Sequence, residues 1–346
     1  MTPSDAFTYL PDGLPDDLLG LPPLEVLARL GRPTLLRVPG RGTKPPRAIS
    51  TLLHGDESTG LEAILTVLAH PRTYERDLYV VIGNVAAALD GDGFEHRYLD
   101  DQEDFNRIWG LEEPTTAQRL AADGILAELR AAGLEALVDI HNNTGNNPFY
   151  AIVTQDAPRH LNLATLFTTT LLTWDLRAHT MMEAMHDEVA SIAVECGLPG
   201  RPESLAFAID GIRRFLGEPD LEDDVVLRDY DLYGDLRKVR IRPEVRFRFG
   251  GELDDGVDLV IDADADDVNF RTVAPGHVIG HVRPGGAMPL VAESPGGRDV
   301  TLDHFEVDRT GRVLTTATAT PVMMTRTVAA ARKDCLFYLS TAARPN

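Results

Sequence analysis

Two hydrophobic periods take turns along the first 217 residues. Short runs rich in β-branched or aliphatic residues read as strands: "PTLLRV" (33–38), "RAISTLL" (47–53), "DLYVVIGNV" (77–85), "EALVDIHNN" (135–143) and "VASIAVECG" (189–197). Between them lie stretches with apolar residues three and four apart. These predict helices over 58–71, stopping at Pro71, over 115–133, ending at Gly133, over 160–172 and over 202–217. The Gly/Pro-rich "PGRGTKPP" reads as a hairpin turn between the first two strands. Such alternation predicts an α/β fold: a mostly parallel, mixed sheet with helices on both faces.

The pattern changes after residue 217. "GEPDLEDD" (217–224) reads as an acidic linker. Beyond it, "RPEVRFRFGG", "GVDLVID", "HVIGHVRPGG", "MPLVAE" and "FEVDRTGRVL" alternate over short lengths with Gly and Pro between them. This predicts a small antiparallel β domain over 218–346, with "KDCLFYLS" as a strand returning to the main body. Strand edges in such a domain would suit a lid or a contact in a homo-oligomer.

Composition narrows the partners. The chain has 346 residues, 43% hydrophobic and 25% charged, which is globular usage. A formal charge of −21 argues against nucleic acid and anionic membranes. Apolar runs fall short of the ~20 residues that span a bilayer. The acidic, proline-broken start "MTPSDAFTYLPDGLPDD" does not resemble a signal peptide, so a cytoplasmic location is expected. Two cysteines, Cys196 and Cys335, exclude a disulfide framework and a cysteine-based zinc cluster.

Three predicted strands end in residues with chemistry. The first carries His54 and, three residues on, Glu57; the second carries His141; the third carries Glu195. In open α/β sheets, ligands gather at the carboxyl ends of strands. Alone, each has an ordinary explanation: a strand-end His in a turn, or a Glu capping the next helix. Together they match a catalytic zinc, with two imidazoles and a carboxylate as ligands and one position left open. Glu195, in an otherwise apolar run, would be the base that such a metal requires. Asp139 shares a strand face with His141 and is placed to accept its ring N–H. The stretch "EHRYLDDQEDFNRIWG" (95–110) offers Arg97, Asn106 and Arg107 between the first two ligand segments. By default it would be a solvated charge run.

Other signals carry less. "LDGDGFEH" (89–96) and "DADADD" (262–267) do not fit a calcium loop and read as solvated acidic turns. His277 and His281 read as surface residues, Cys196 as an inert core thiol, and His179 and His186 as lesser candidates for the pocket.

In series, "HGDESTG", "DFNR", "DIHNNTG" and "VECG" resemble the succinylglutamate desuccinylase/aspartoacylase family of the zinc carboxypeptidase superfamily. The resemblance covers about residues 30–217, and "VNFRTVAPGHVIGHV" (268–282) looks like the family's C-terminal β domain. It implies one zinc per chain on His54, Glu57 and His141, with Glu195 as general base and then acid. It also implies Arg97 polarising the scissile carbonyl, and Asn106 and Arg107 binding a substrate carboxylate. The substrate class would be N-acyl amino acids, cleaved at the amide. Phe105 replaces the family's usual Leu, Arg97 stands further from Asn106, and no arginine lies in "AHTMMEAMHDEVASIAVECG" just before Glu195. The last departure points away from a small dicarboxylic acyl group. The rival readings are a peptide-trimming metallocarboxypeptidase and a non-catalytic zinc-binding protein.

Overall fold

A computed structural model describes residues 3–70, 74–111, 113, 115–175, 177–221 and 224–345. Its strands are β1 (Thr8–Leu10), β2 (Thr34–Val38), β3 (Arg47–Thr51), β4 (Leu78–Ile82), β5 (Ala136–His141), β6 (Tyr150–Val153), β7 (Thr170–Thr173) and β8 (Ala190–Glu195). The later ones are β9 (Asp231–Ile241), β10 (Phe247–Phe249), β11 (Leu259–Ile261), β12 (Val278–Val282), β13 (Leu290–Glu293), β14 (Phe305–Val307), β15 (Arg312–Thr315), β16 (Thr320–Val322) and β17 (Phe337–Pro345). Contacts divide the chain into two units, one of residues 1–142, 150–171 and 177–230, the other of 143–149, 172–176 and 231–346.

In the first unit the strand order is β1-β2-β4-β3-β5-β8-β6. The centre, β4-β3-β5-β8, is parallel; β2 joins β4 and β6 joins β8 antiparallel. Every residue of β3, β4, β5 and β8 is buried, which is why these strands read as unbroken apolar runs. Alternate residues serve opposite faces. Ala48, Tyr79, Val81 and Leu137 join one cluster with Ala121, Ala122, Ile125, Leu126 and Leu129 of the helix Ala117–Ala132. On the opposite face, Gly60 of the helix Thr59–Leu68 lies against Thr51 and Ile140 so closely that a Cβ would collide. That helix packs against the helix Pro202–Gly217. The fold is therefore the expected mixed α/β one, with a mostly parallel sheet.

Some local expectations fail for physical reasons. β2 and β3 form no hairpin: β4 inserts between them, pairing antiparallel with one and parallel with the other. The helix expected over 160–172 is shorter, Pro158–Thr165, and the β-branched run after it supplies β7. The helix from Thr59 ends at Leu68, and Pro71 lies outside the described residues. The long strand β9, with its charged and apolar residues intermixed, was not expected.

The second unit holds a smaller sheet of order β10-β11-β12-β15-β14, antiparallel except for the parallel β10/β11 pair. In the same unit β9 pairs antiparallel with β17 and β13, and β17 with β16. Phe305, Phe337, Leu290 and Ile261 are among the residues at its core. The acidic turn 262–267 is only partly solvated, since Asp266 is buried and accepts the Asn146 N–H at 2.7 Å.

Candidate active site

Parallel neighbours β3, β5 and β8 end at one edge of the sheet, with Thr51 opposite Ile140 and His141 opposite Glu195. The chain leaves β3 through Leu52, which has a φ of 57°, in the left-handed region that L residues seldom adopt. His54, Gly55, Asp56 and Glu57 then form a tight turn closed by the Glu57 N–H on the His54 carbonyl at 3.2 Å. Gly55 is required there for space: a Cβ would lie 2.6 Å from Ala88 N and from His96 O.

Glu57 does not cap the helix that follows it. One carboxylate oxygen sits 2.7 Å from His54 Nδ1 and the other 2.7 Å from His141 Nδ1. The far nitrogen of each ring meets another carboxylate. His54 Nε2 lies 3.1 Å from Asp104 Oδ1, and His141 Nε2 lies 2.7 Å from Asp139 Oδ2. Asp139 is braced in turn by the Ser50 hydroxyl, which donates at 2.5 Å. His54, Glu57 and His141 are all buried, and their ligand atoms lie within 4.8 Å of one another.

The donor set fits a metal ion. Carboxylates can only accept, so Asp104 and Asp139 draw the N–H to Nε2 of each ring. The neutral tautomer then presents a bare Nδ1 lone pair to a Glu57 oxygen, an arrangement that needs a cation between acceptors. In the metal-free polypeptide, protons meet that need. Burial and Arg97 push the His54 pKa down, but Glu57 and Asp104 outweigh them and leave it raised. Burial likewise opposes His141, whose pKa Asp139 and Glu57 nonetheless hold well above the usual imidazole value. Burial pushes the Glu57 pKa up, yet the two histidines bring it below the usual carboxylate range.

Glu195 stands apart from this group. It is buried, and its Oε2 meets no hydrogen-bond partner among the described residues. Burial pushes its pKa up to about 7, with His141 opposing and Glu57 assisting.

The loop 95–110 is no solvated charge run. The Arg97 carbonyl accepts the Gly55 N–H at 2.9 Å; its guanidinium donates to Asp104 Oδ2 at 3.2 Å and reaches 3.7 Å from Glu57 Oε1. Asp104 also accepts the Asn106 N–H at 2.9 Å. The Asn106 side chain turns inward, its amide nitrogen 3.1 Å from His141 Nε2 and 3.5 Å from Asp139 Oδ2, its oxygen accepting the Met181 N–H at 3.0 Å. Arg107 is half-buried and donates to the Asn106 carbonyl at 2.8 Å. His179 is exposed and His186 half-buried, and neither belongs to the group that could hold a metal ion.

Two further residues organise the site without having been singled out in the sequence. Asp104 joins His54, Arg97 and the Asn106 backbone; it lies inside "DFNR", so the motif contained it. Asn142 accepts the Thr59 N–H at 3.1 Å, gives its own N–H to Glu57 at 3.2 Å and donates to the Gly197 carbonyl at 2.8 Å. It ties together the segments that follow all three strands.

No protein-family model and no curated protein matches the chain in sequence. Solved structures do match in fold. Murine aminoacylase 3 aligns with a TM-score of 0.55 at 16% identity, covering 87% of this chain and 96% of that one. A succinylglutamate desuccinylase/aspartoacylase from Rhodobacter sphaeroides aligns with a TM-score of 0.55 at 14% identity, covering 90% and 88%. The fold is the zinc-carboxypeptidase-like α/β fold of the desuccinylase/aspartoacylase proteins.

Proposed function

We propose that the protein is a zinc-dependent hydrolase that cleaves the amide bond of an N-acyl amino acid. The observation that carries this reading is the convergence of two carboxylate-backed imidazoles on Glu57, with Glu195 one strand away, its Oε2 without a hydrogen-bond partner among the described residues. The folds of murine aminoacylase 3 and the Rhodobacter desuccinylase/aspartoacylase support it.

His54 and His141, through Nδ1, and Glu57 would hold the zinc. Bound there, zinc would supply Lewis acidity for the attacking water and the scissile carbonyl. Glu195, with a pKa raised to about 7, is suited to take the water's proton near neutral pH. The same carboxyl then returns the proton to the departing amine. Arg97 is fixed by Asp104 beside Glu57, where its charge can stabilise the oxyanion that develops as water attacks. The resemblance assigns both Asn106 and Arg107 to the substrate carboxylate. The Asn106 amide N–H₂ reaches towards Asp139 and its oxygen accepts the Met181 N–H, so we assign the carboxylate to Arg107 and a positioning role to Asn106.

Metal analysis of the purified chain, followed by a panel of N-acyl amino acids and short peptides, tests this reading. The expected result is stoichiometric zinc and hydrolysis of an N-acyl amino acid. Cleavage of peptides alone would favour a carboxypeptidase. Zinc without any hydrolysis would favour a binding protein and overturn the proposal.

A further inference from the structure

Arg107, the proposed partner of the substrate carboxylate, is set in place by its chain neighbours. Phe105, Asn106, Ile108 and Trp109 are buried, and Arg107 is half-buried between them. Two hydrogen bonds bracket it. Asn106 Oδ1 accepts the Met181 N–H at 3.0 Å, and the Trp109 N–H donates to the His179 carbonyl at 3.0 Å. Both reach one stretch of three residues, 179–181. Apolar packing repeats the link, since Met181 and Met185 share one cluster with Phe105, Ile108 and Trp109.

That stretch holds an unfavourable backbone. His179 has a φ of 53°, in the left-handed region that L residues seldom adopt. Such a conformation persists only where the surroundings fix it. Glu183 supplies the fixing. Its carboxylate accepts the Ala178 N–H and the Thr180 N–H at 3.0 Å each, on either side of His179, and the Thr180 hydroxyl accepts the Glu183 N–H at 3.2 Å. No arginine lies between Ala178 and Glu195, so this segment offers the loop backbone groups rather than the substrate a charge.

We propose that Glu183 is a positioning residue for Arg107, and that through it the protein prefers substrates with a free α-carboxylate over their amides. The role rests on the deacylase reading above, with Arg107 as the carboxylate's partner. An arginine holds a carboxylate best through two parallel N–H···O bonds, a geometry that a small displacement of the loop spoils. Glu183 touches no substrate in this role; it acts through the His179 carbonyl and the Met181 N–H.

The probes are N-acetyl-leucine, N-acetyl-phenylalanine and Nα-acetyl-lysine, each compared with its C-terminal amide. In the zinc-loaded wild-type protein, kcat/KM for the acid is expected to exceed that for the amide by about tenfold or more, the worth of a charge-assisted hydrogen bond. In Glu183→Ala the ratio should fall towards one through a rise in KM for the acid, with kcat and zinc content kept. Amide hydrogen exchange over 105–109 should quicken in the same variant. Glu183→Gln keeps an acceptor oxygen and should keep most of the ratio. Thr180→Ala loses only the bond from the Glu183 N–H; it should show a smaller fall, and it stands in if Glu183→Ala does not fold. Arg107→Ala should lose the ratio, and adding Glu183→Ala should lower it no further. An unchanged ratio in the folded variant, or a further fall in the double variant, overturns the positioning role. Equal turnover of acid and amide by the wild-type protein also overturns it and leaves the deacylase reading standing. Failure of the zinc-loaded protein to hydrolyse any of the six compounds removes both readings together.

Discussion

Asp139 and His141 lie two residues apart on β5, and the Asp139 carboxylate holds His141 Nε2 at 2.7 Å. The pair fixes the tautomer that leaves Nδ1 open towards Glu57. Asp139→Ala should therefore weaken zinc binding by about 10–100-fold, the usual effect of losing a carboxylate behind a ligand imidazole. Chelator competition at constant pH measures it. Unchanged affinity would mean that the tautomer is set elsewhere.

Glu195→Gln keeps the shape of a buried side chain that holds no metal in this arrangement. The variant should bind zinc with wild-type affinity and lose about 10²–10⁴-fold in kcat, the range for a displaced acid–base catalyst. Steady-state kinetics on the metal-loaded protein gives the answer; near-normal turnover would exclude Glu195 as the base.

Zinc binding should be steeply pH-dependent. In the metal-free chain both imidazoles hold protons above the usual imidazole range, because their carboxylate partners outweigh burial. Zinc must displace those protons, so apparent affinity falls as pH falls, by about tenfold per pH unit for each proton released. Zinc retention across a pH series reads the slope. A flat profile through the imidazole range would contradict the arrangement.

Activity should show its own acid limb. Glu195 acts as a base only when ionised, so kcat/KM rises as pH rises through its pKa. Burial places that value at about 7 without metal, and a bound cation lowers it. The limb should lie at or below about pH 7 in the zinc-loaded protein, and it should vanish with the residual activity of Glu195→Gln. A limb clearly above pH 8 would belong to another group.

Gly55→Ala tests the fold and the site together. Its Cβ would meet Ala88 N and His96 O at 2.6 Å, both backbone atoms, so the turn itself must move. A destabilisation of about 1–3 kcal/mol is expected, with reduced zinc retention. Thermal unfolding and metal analysis check it; a variant with wild-type stability and zinc would show that the turn has room.

Much of the site was legible because its residues sit at the ends of buried strands. The apolar runs of β3, β5 and β8 mark themselves, and the polar residues that end them stand out against that background. The same logic failed for β2 and β3, since sequence neighbours need not be sheet neighbours and the intervening β4 lies far along the chain. Asp104 was harder to read. It meets His54 across 50 residues of chain, from an acidic loop whose composition looks like ordinary solvated surface. Asn106 resembled a substrate ligand in type, and only the fold shows its amide turned to His141 and the Met181 backbone. β9 mixes charged and apolar positions, so its eleven residues lacked the clean period of a strand.

The pairing of His141 with Glu195 in the β5/β8 register has a consequence for how this protein can diversify. Adjacent strands sit about 4.8 Å apart wherever a sheet is intact. The backbone ladder thus acts as a ruler between His141 of the proposed metal site and Glu195, the proposed proton carrier, and a side-chain substitution that leaves the sheet intact does not lengthen it. New substrates must be accommodated by side chains off this ladder, such as Arg107 in the loop 95–110, while the strand spacing between His141 and Glu195 is kept.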